Sequence, residues 1–146
     1  MVIVAICIVI IAFGLIKLFF GNGADKYGDR LNGIETVQIS EDKRTSIKST
    51  VEEDPSINNV KISLSGRIVY IELDFNDTLN LEDAKTKSSK VLENFSDEEQ
   101  KYYDFNFTIR QSATETTDGF NLQGAKNASG TRLAWVNNNI VEEESE

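Results

Sequence analysis

Residues 59–75 read NVKISLSGRIVYIELDF, and the fold turns on how this stretch divides. Val60, Ile62 and Leu64 alternate with Lys61, Ser63 and Ser65. Beyond Ser65-Gly66-Arg67, Val69, Ile71, Leu73 and Phe75 alternate with Tyr70, Glu72 and Asp74. A period of two sends successive side chains to opposite faces, so each half is a strand with one apolar side. Gly66 is free to take the positive φ of a tight turn. The stretch predicts a β-hairpin with one buried face.

Elements to cover that face flank it. Upstream, Ser40 is a good N-cap, with Glu41 and Asp42 placed to favour the positive end of a helix dipole. Ile47 and Val51 share a face of the helix, and Pro55 ends it at about Asp54. Before this helix, Ile34 to Ile39 (IETVQI) alternates and predicts a short strand. Downstream, Asn76-Asp77-Thr78 turns the chain and Asn80 caps a second helix. Its apolar stripe is Leu81, Ala84, Ser88, Val91 or Leu92, and Phe95. Lys85, Lys87 and Lys90 lie mostly off that stripe. Ser96 and Glu99 form a capping box that starts another helical turn, through about Tyr103. Phe105, Phe107 and Ile109 alternate as a strand, with Tyr103, Phe105 and Phe107 on one core face. Two further candidate strands follow, punctuated by Asp118-Gly119 and Ser129-Gly130. Phe120 and Leu122 face the core from the first, Leu133 and Trp135 from the second. Core is the favoured reading for Trp135 and a contact surface the alternative.

The expected order is β-α-β-β-α-β with an extra C-terminal hairpin. That is an α+β, two-layer domain over residues 34–137, ferredoxin-like in its split β-α-β arrangement. The order also resembles the BON domain and the ring-building modules of bacterial secretion and sporulation complexes. The resemblance spans Ile34 to Ile109. It rests on the glycine-centred hairpin, Ser65-Gly66-Arg67, preceding a helix with small residues, Ala84 and Ser88. It implies a module that follows a membrane anchor, lacks catalytic residues and mediates protein or lipid contacts.

The chain begins MVIVAICIVIIAFGLIKLFF. Val2 to Ile16 is unbroken apolar residues and glycine, and Lys17 is the only charge among residues 1–20. Nineteen apolar-rich residues give roughly 28 Å of helix, close to the hydrocarbon thickness of a bilayer. Lys17 sits where its stem would snorkel to the interface. A secretory signal peptide is the main rival, but it wants a basic n-region that is missing here. A buried core helix is the third reading. The expectation is a transmembrane anchor over 1–20 that engages the bilayer through residues 2–20. A flexible tether follows over 21–33, with four glycines (GNGADKYGDRLNG). Residues 138–146 form an acidic, disordered tail. Lys17, Lys26 and Arg30 follow the apolar stretch, so the positive-inside rule favours a cytoplasmic domain. Single N-terminal spans often act as uncleaved export signals, and on that ground the domain is expected outside the cytoplasm.

Composition excludes several chemistries. The chain has 146 residues and a net charge of −9, so the part beyond Phe20 carries −10. Such a domain is repelled by phosphate, which argues against nucleic acid as a partner. There is no His, the usual general base near neutral pH and the commonest metal ligand. The single Cys, Cys7, lies in the apolar stretch, so no disulfide or thiolate zinc site is available within the rest of one chain. The acidic run Glu52-Glu53-Asp54 reads as a solvated helix end, and Asp74-Phe75-Asn76-Asp77 as a turn. Neither has the alternating oxygen ligands of a calcium loop. Gly119 to Lys126 lacks the Gly-Lys-Ser/Thr of a phosphate loop. Sequons stand at Asn76, Asn94, Asn106 and Asn127.

No catalytic, cofactor-binding or metal-binding residue is therefore assigned. The expected function is a single-pass, membrane-anchored, non-enzymatic module for protein interaction or self-association. An exported ligand or cation binder is the alternative, and a carboxylate-dependent hydrolase the remote one.

Overall fold

The hairpin forms as read. In the computed structural model, which describes residues 31–137, β1 (Ile57–Ser65) pairs antiparallel with β2 (Ile68–Phe75). Ser65 faces Ile68 across Gly66-Arg67, and Gly66 has φ +57°, a conformation that costs glycine nothing. One face of the pair carries Val60, Val69, Ile71, Leu73 and Phe75, all buried.

The helices also start at the expected caps. Ser40 accepts the Lys43 amide at the head of α1 (Glu41–Glu52), and Asn80 accepts the Asp83 amide at the head of α2 (Leu81–Lys90). The expected second helix ends in a 3₁₀ turn, Val91–Asn94. Ser96 and Glu99 close a reciprocal capping box on the short α3 (Asp97–Tyr102). The stripe on α2 is buried where expected, at Ala84, Ser88, Val91 and Phe95.

β3 (Asp104–Gln111) lies parallel to β2, with Ile71 beside Phe107. Parallel neighbours need a long crossover, which α2, the 3₁₀ turn and α3 supply. β4 (Phe120–Lys126) runs antiparallel to β3, and β5 (Ala134–Asn137) antiparallel to β4. The result is an α+β domain around a mixed five-stranded sheet in the order β1-β2-β3-β4-β5. The C-terminal hairpin thus extends the sheet rather than standing apart from it.

Two expectations are corrected. Residues 34–39 form no strand. Gly33, at φ +88°, opens a turn in which its carbonyl accepts the Thr36 and Val37 amides at 3.0 and 3.1 Å. The Val37 carbonyl then accepts the Tyr103 hydroxyl at 2.6 Å. Local turn bonds and a side chain satisfy this backbone, so no ladder is needed; of the alternating residues only Ile39 is buried. The split β-α-β order fails with it. The described elements run α-β-β-α-α-β-β-β and the strands lie in chain order.

The compact unit begins at Gly33. The anchor expected over 1–20, most of the tether and the acidic tail lie outside the described residues. Among the described residues no helix is long and apolar enough to cross a membrane.

Candidate interaction surface

Alternation sorts the sheet into two unlike faces. On one, Phe105, Phe107 and Ile109 of β3 and Phe120 and Leu122 of β4 join the hairpin's apolar residues in a single core with Ile47, Val51, Ala84, Val91 and Phe95 from the helical elements. Trp135 belongs to this side. Its ring packs over Gly124, where an added Cβ would come within 2.6 Å of it, and meets Phe107 edge-on at 6.2 Å. The core reading of Trp135 therefore holds.

The other face has no helix over it among the described residues, and its side chains make a polar ladder. The Lys61 ammonium lies 3.1 Å from Glu72, Arg110 bridges Glu72 at 2.8 Å and Asp74 at 3.0 Å, and Asn59 donates to Asp74 at 3.1 Å. Opposite charges on adjacent strands offset one another, so this part is ordered and close to neutral. Beside it lie Ser63, Asn106, Ala125, Gln123 and Tyr70, which is 37% exposed. Val136 of β5 is 62% exposed. Asp74 therefore sits in a strand ladder, while Asn76 makes the turn by accepting the Thr78 amide.

The sheet has two edges. β5 is four residues long and β1 is nine. β1 is the longer row of backbone donors and acceptors without a neighbouring strand among the described residues, and such rows template pairing.

The helical layer holds three polar clusters that spacing alone did not reveal. Asp54 is not a solvated helix end. It accepts Ser56 through both the amide (3.0 Å) and the hydroxyl (2.6 Å), and it pairs with Lys87 of α2. The Lys87 hydrogen bond, followed by that of Ser56, holds the Asp54 carboxyl down at about 2. Lys87 also donates to Ser56 Oγ at 3.0 Å. A serine beside a lysine is a potential nucleophile and base, but the base must be neutral. Here Lys87 donates to the Ser56 hydroxyl instead of accepting from it, and that hydroxyl donates to Asp54. The trio ties the segment just after α1 to α2, and Asp54 and Lys87 line a cleft of about 300 Å³ with Val51, Ile57 and Val91.

The second cluster joins Lys43 of α1 to the buried Glu99 of α3. In the third, buried Lys126 reaches the Gln100 carbonyl at 2.7 Å, near the C-terminal end of α3, where cations favour the helix dipole. Desolvation lowers the Lys126 pKa, and Asp104 opposes that shift. Desolvation is also the main reason the Tyr103 hydroxyl is raised. Each group is spent on holding elements together. Two sequon side chains are likewise engaged, Asn76 with the Pro55 carbonyl and Asn94 with that of Val91. Among the described residues no group of three His, Cys, Asp or Glu is placed to hold a metal ion.

No protein-family model matches the chain, and no curated protein matches it. Among solved structures, the chain is similar to one described as the crystal structure of a sex pheromone staph-cAM373 precursor. The two are 18% identical with a TM-score of 0.43, over 68% of this chain and 40% of that one. The chain thus spans well under half the length of that structure, and a likeness this distant identifies neither family nor activity.

Proposed function

We propose that the chain is a single-pass, membrane-anchored, non-enzymatic interaction module. Residues 2–20 hold it in the bilayer, and the domain stands outside the cytoplasm. There it meets another protein, or itself, through the uncovered side and edge of its sheet.

The observation that carries this reading is the one-sided sheet. Helices close one face over a continuous core. The other face is an ordered, nearly neutral ladder beside Tyr70 and Val136, bounded by the nine-residue β1 edge. Ordered side chains lose little further entropy on binding. The acidic charge, which keeps the domain off anionic lipid headgroups, favours a protein partner over a lipid one.

Alkaline carbonate washing of membranes from cells expressing the full chain tests the anchor. Retention in the pellet is expected, and recovery in the supernatant overturns it. Protease added to intact cells is expected to remove the domain; protection would place it on the other side.

A further inference from the structure

We propose that the β1 edge pairs antiparallel with the β1 edge of a second copy of this chain, with Ile62 opposite its own counterpart. This rests on the interaction-module reading and names its partner.

The first support is incomplete burial along β1. On β2 and β3, every apolar side chain facing the helices is buried. On β1 only Val60 is, while Ile62 and Leu64 on the same face remain half-buried. The deficit falls on the edge strand, where a neighbouring strand would remove it.

The second support is hydrogen-bonding parity. Ser65 and Ile68 close a two-residue hairpin, which makes them a mutually hydrogen-bonded pair. Ser63 and Lys61 then also turn their amides and carbonyls towards β2. Val60, Ile62 and Leu64 turn theirs outward.

The third support is self-complementarity. With Ile62 opposite Ile62, Val60 meets Leu64 and Leu64 meets Val60. Outward groups meet outward groups, giving about six new backbone hydrogen bonds. The half-buried apolar side chains cover one another on the helix side. On the ladder side Lys61 meets Ser63. Setting Val60 opposite Ile62 instead brings the two Lys61 ammoniums face to face, which is destabilising. Setting Ile62 opposite Leu64 places Val60 against Gly66 and loses an apolar pair.

Charge argues for a copy of this chain on this edge. The chain carries −9, yet Lys61 is the only charged residue from Ile57 to Ser65, and there is no Pro. Acidic copies repel elsewhere, but not here. Edges that avoid association carry charges, above all Lys, a Pro, a bulge or short length; β1 carries one Lys, and its irregularity, between Ile57 and Asn59, lies outside the Val60–Leu64 stretch that pairs.

The register is testable by disulfide trapping in isolated membranes. Two differently tagged full-length chains are co-expressed, both Cys7→Ser, one Lys61→Cys and the other Ser63→Cys. Directly opposed positions fit disulfide geometry, whereas Lys61 and its own counterpart lie beyond about 7 Å. With a copper–phenanthroline oxidant, the mixed disulfide is expected to exceed either self-disulfide by about ten-fold. Ser63→Lys is expected to lower the dimer fraction in detergent sedimentation and Ser63→Glu to raise it, because each residue faces Lys61 of the other copy. Unfolding would not move the two in opposite directions. No mixed disulfide, or equal trapping of all three pairs, overturns the proposal. If trapping fails while a photo-crosslinker at Tyr70 still yields an adduct with a different protein, the interaction-module reading survives. If the chain leaves the membrane in carbonate, its anchored form fails as well.

Discussion

Lys43 on α1 and Glu99 on α3 are 56 residues apart in sequence, yet the ammonium lies 2.7 and 2.6 Å from the two carboxylate oxygens. The same carboxylate accepts the Ser96 amide at 2.8 Å to complete the capping box. One buried side chain thus starts a helix and fastens it to another. Glu99→Ala removes both roles and strands a partly buried ammonium. It is expected to cost about 2–3 kcal/mol in denaturant unfolding of the full chain. Lys43→Ala leaves the cap intact, and because Lys43 is partly exposed it is expected to cost less, about 1 kcal/mol. Equal costs would mean that the cap contributes nothing.

Gly124 and Trp135 pack closely on the helix-covered face. A Cβ at residue 124 would sit 2.6 Å from the indole, which packs over Gly124 and edge-on to Phe107. Gly124→Ala is expected to displace it, costing about 1–3 kcal/mol and red-shifting the single Trp emission. In the Trp135→Ala background the same substitution is expected to be nearly neutral. A full cost there would place the strain elsewhere.

Asp54 gives a pH signature. Its carboxyl stands at about 2 instead of its ordinary 3.8, so the fold favours the ionised form. That stabilisation is complete above about pH 4 and is lost as the pH falls towards 2. Asp54→Asn is expected to be destabilised most near neutral pH, with the gap to the unaltered chain closing in acid. A gap that stays constant across that window would contradict the Asp54–Lys87 pairing.

Ladder pairs should behave differently from the pair made by buried Glu99. Arg110 is exposed and Glu72 half-buried on a face with no helix over it among the described residues. Arg110→Ala is expected to cost less than about 1 kcal/mol, with most of that loss disappearing in high salt. A salt-independent loss would mean that the open face is held by packing.

What the sequence revealed was what short-range pattern encodes. Val60 to Phe75 alternates over two full strands around a glycine, and the α2 stripe repeats at helical spacing from Leu81 to Phe95, so both elements were legible. IETVQI offered the same alternation over six residues, too short to prevail once Gly33 opened a turn and Tyr103 took the Val37 carbonyl. The parallel β2–β3 pairing was not legible, because it depends on the crossover rather than on either strand. Nor were Asp54–Lys87 and Lys43–Glu99, since helical spacing gives no sign of which lysine reaches across a layer. The open ladder was half visible, as Lys61, Glu72 and Asp74 were assigned to the polar side of the hairpin but Arg110 was not placed beside them.

Whether the sheet face with no helix over it among the described residues is where this chain meets a protein can be tested directly. A photo-crosslinking amino acid in place of exposed Tyr70 on that face can be compared with one replacing exposed Ser46 on α1. Both are introduced into the full-length chain in intact cells. A discrete, membrane-retained adduct from position 70 and none from position 46 is the predicted result. No adduct at 70, or the same adducts at both positions, would contradict it.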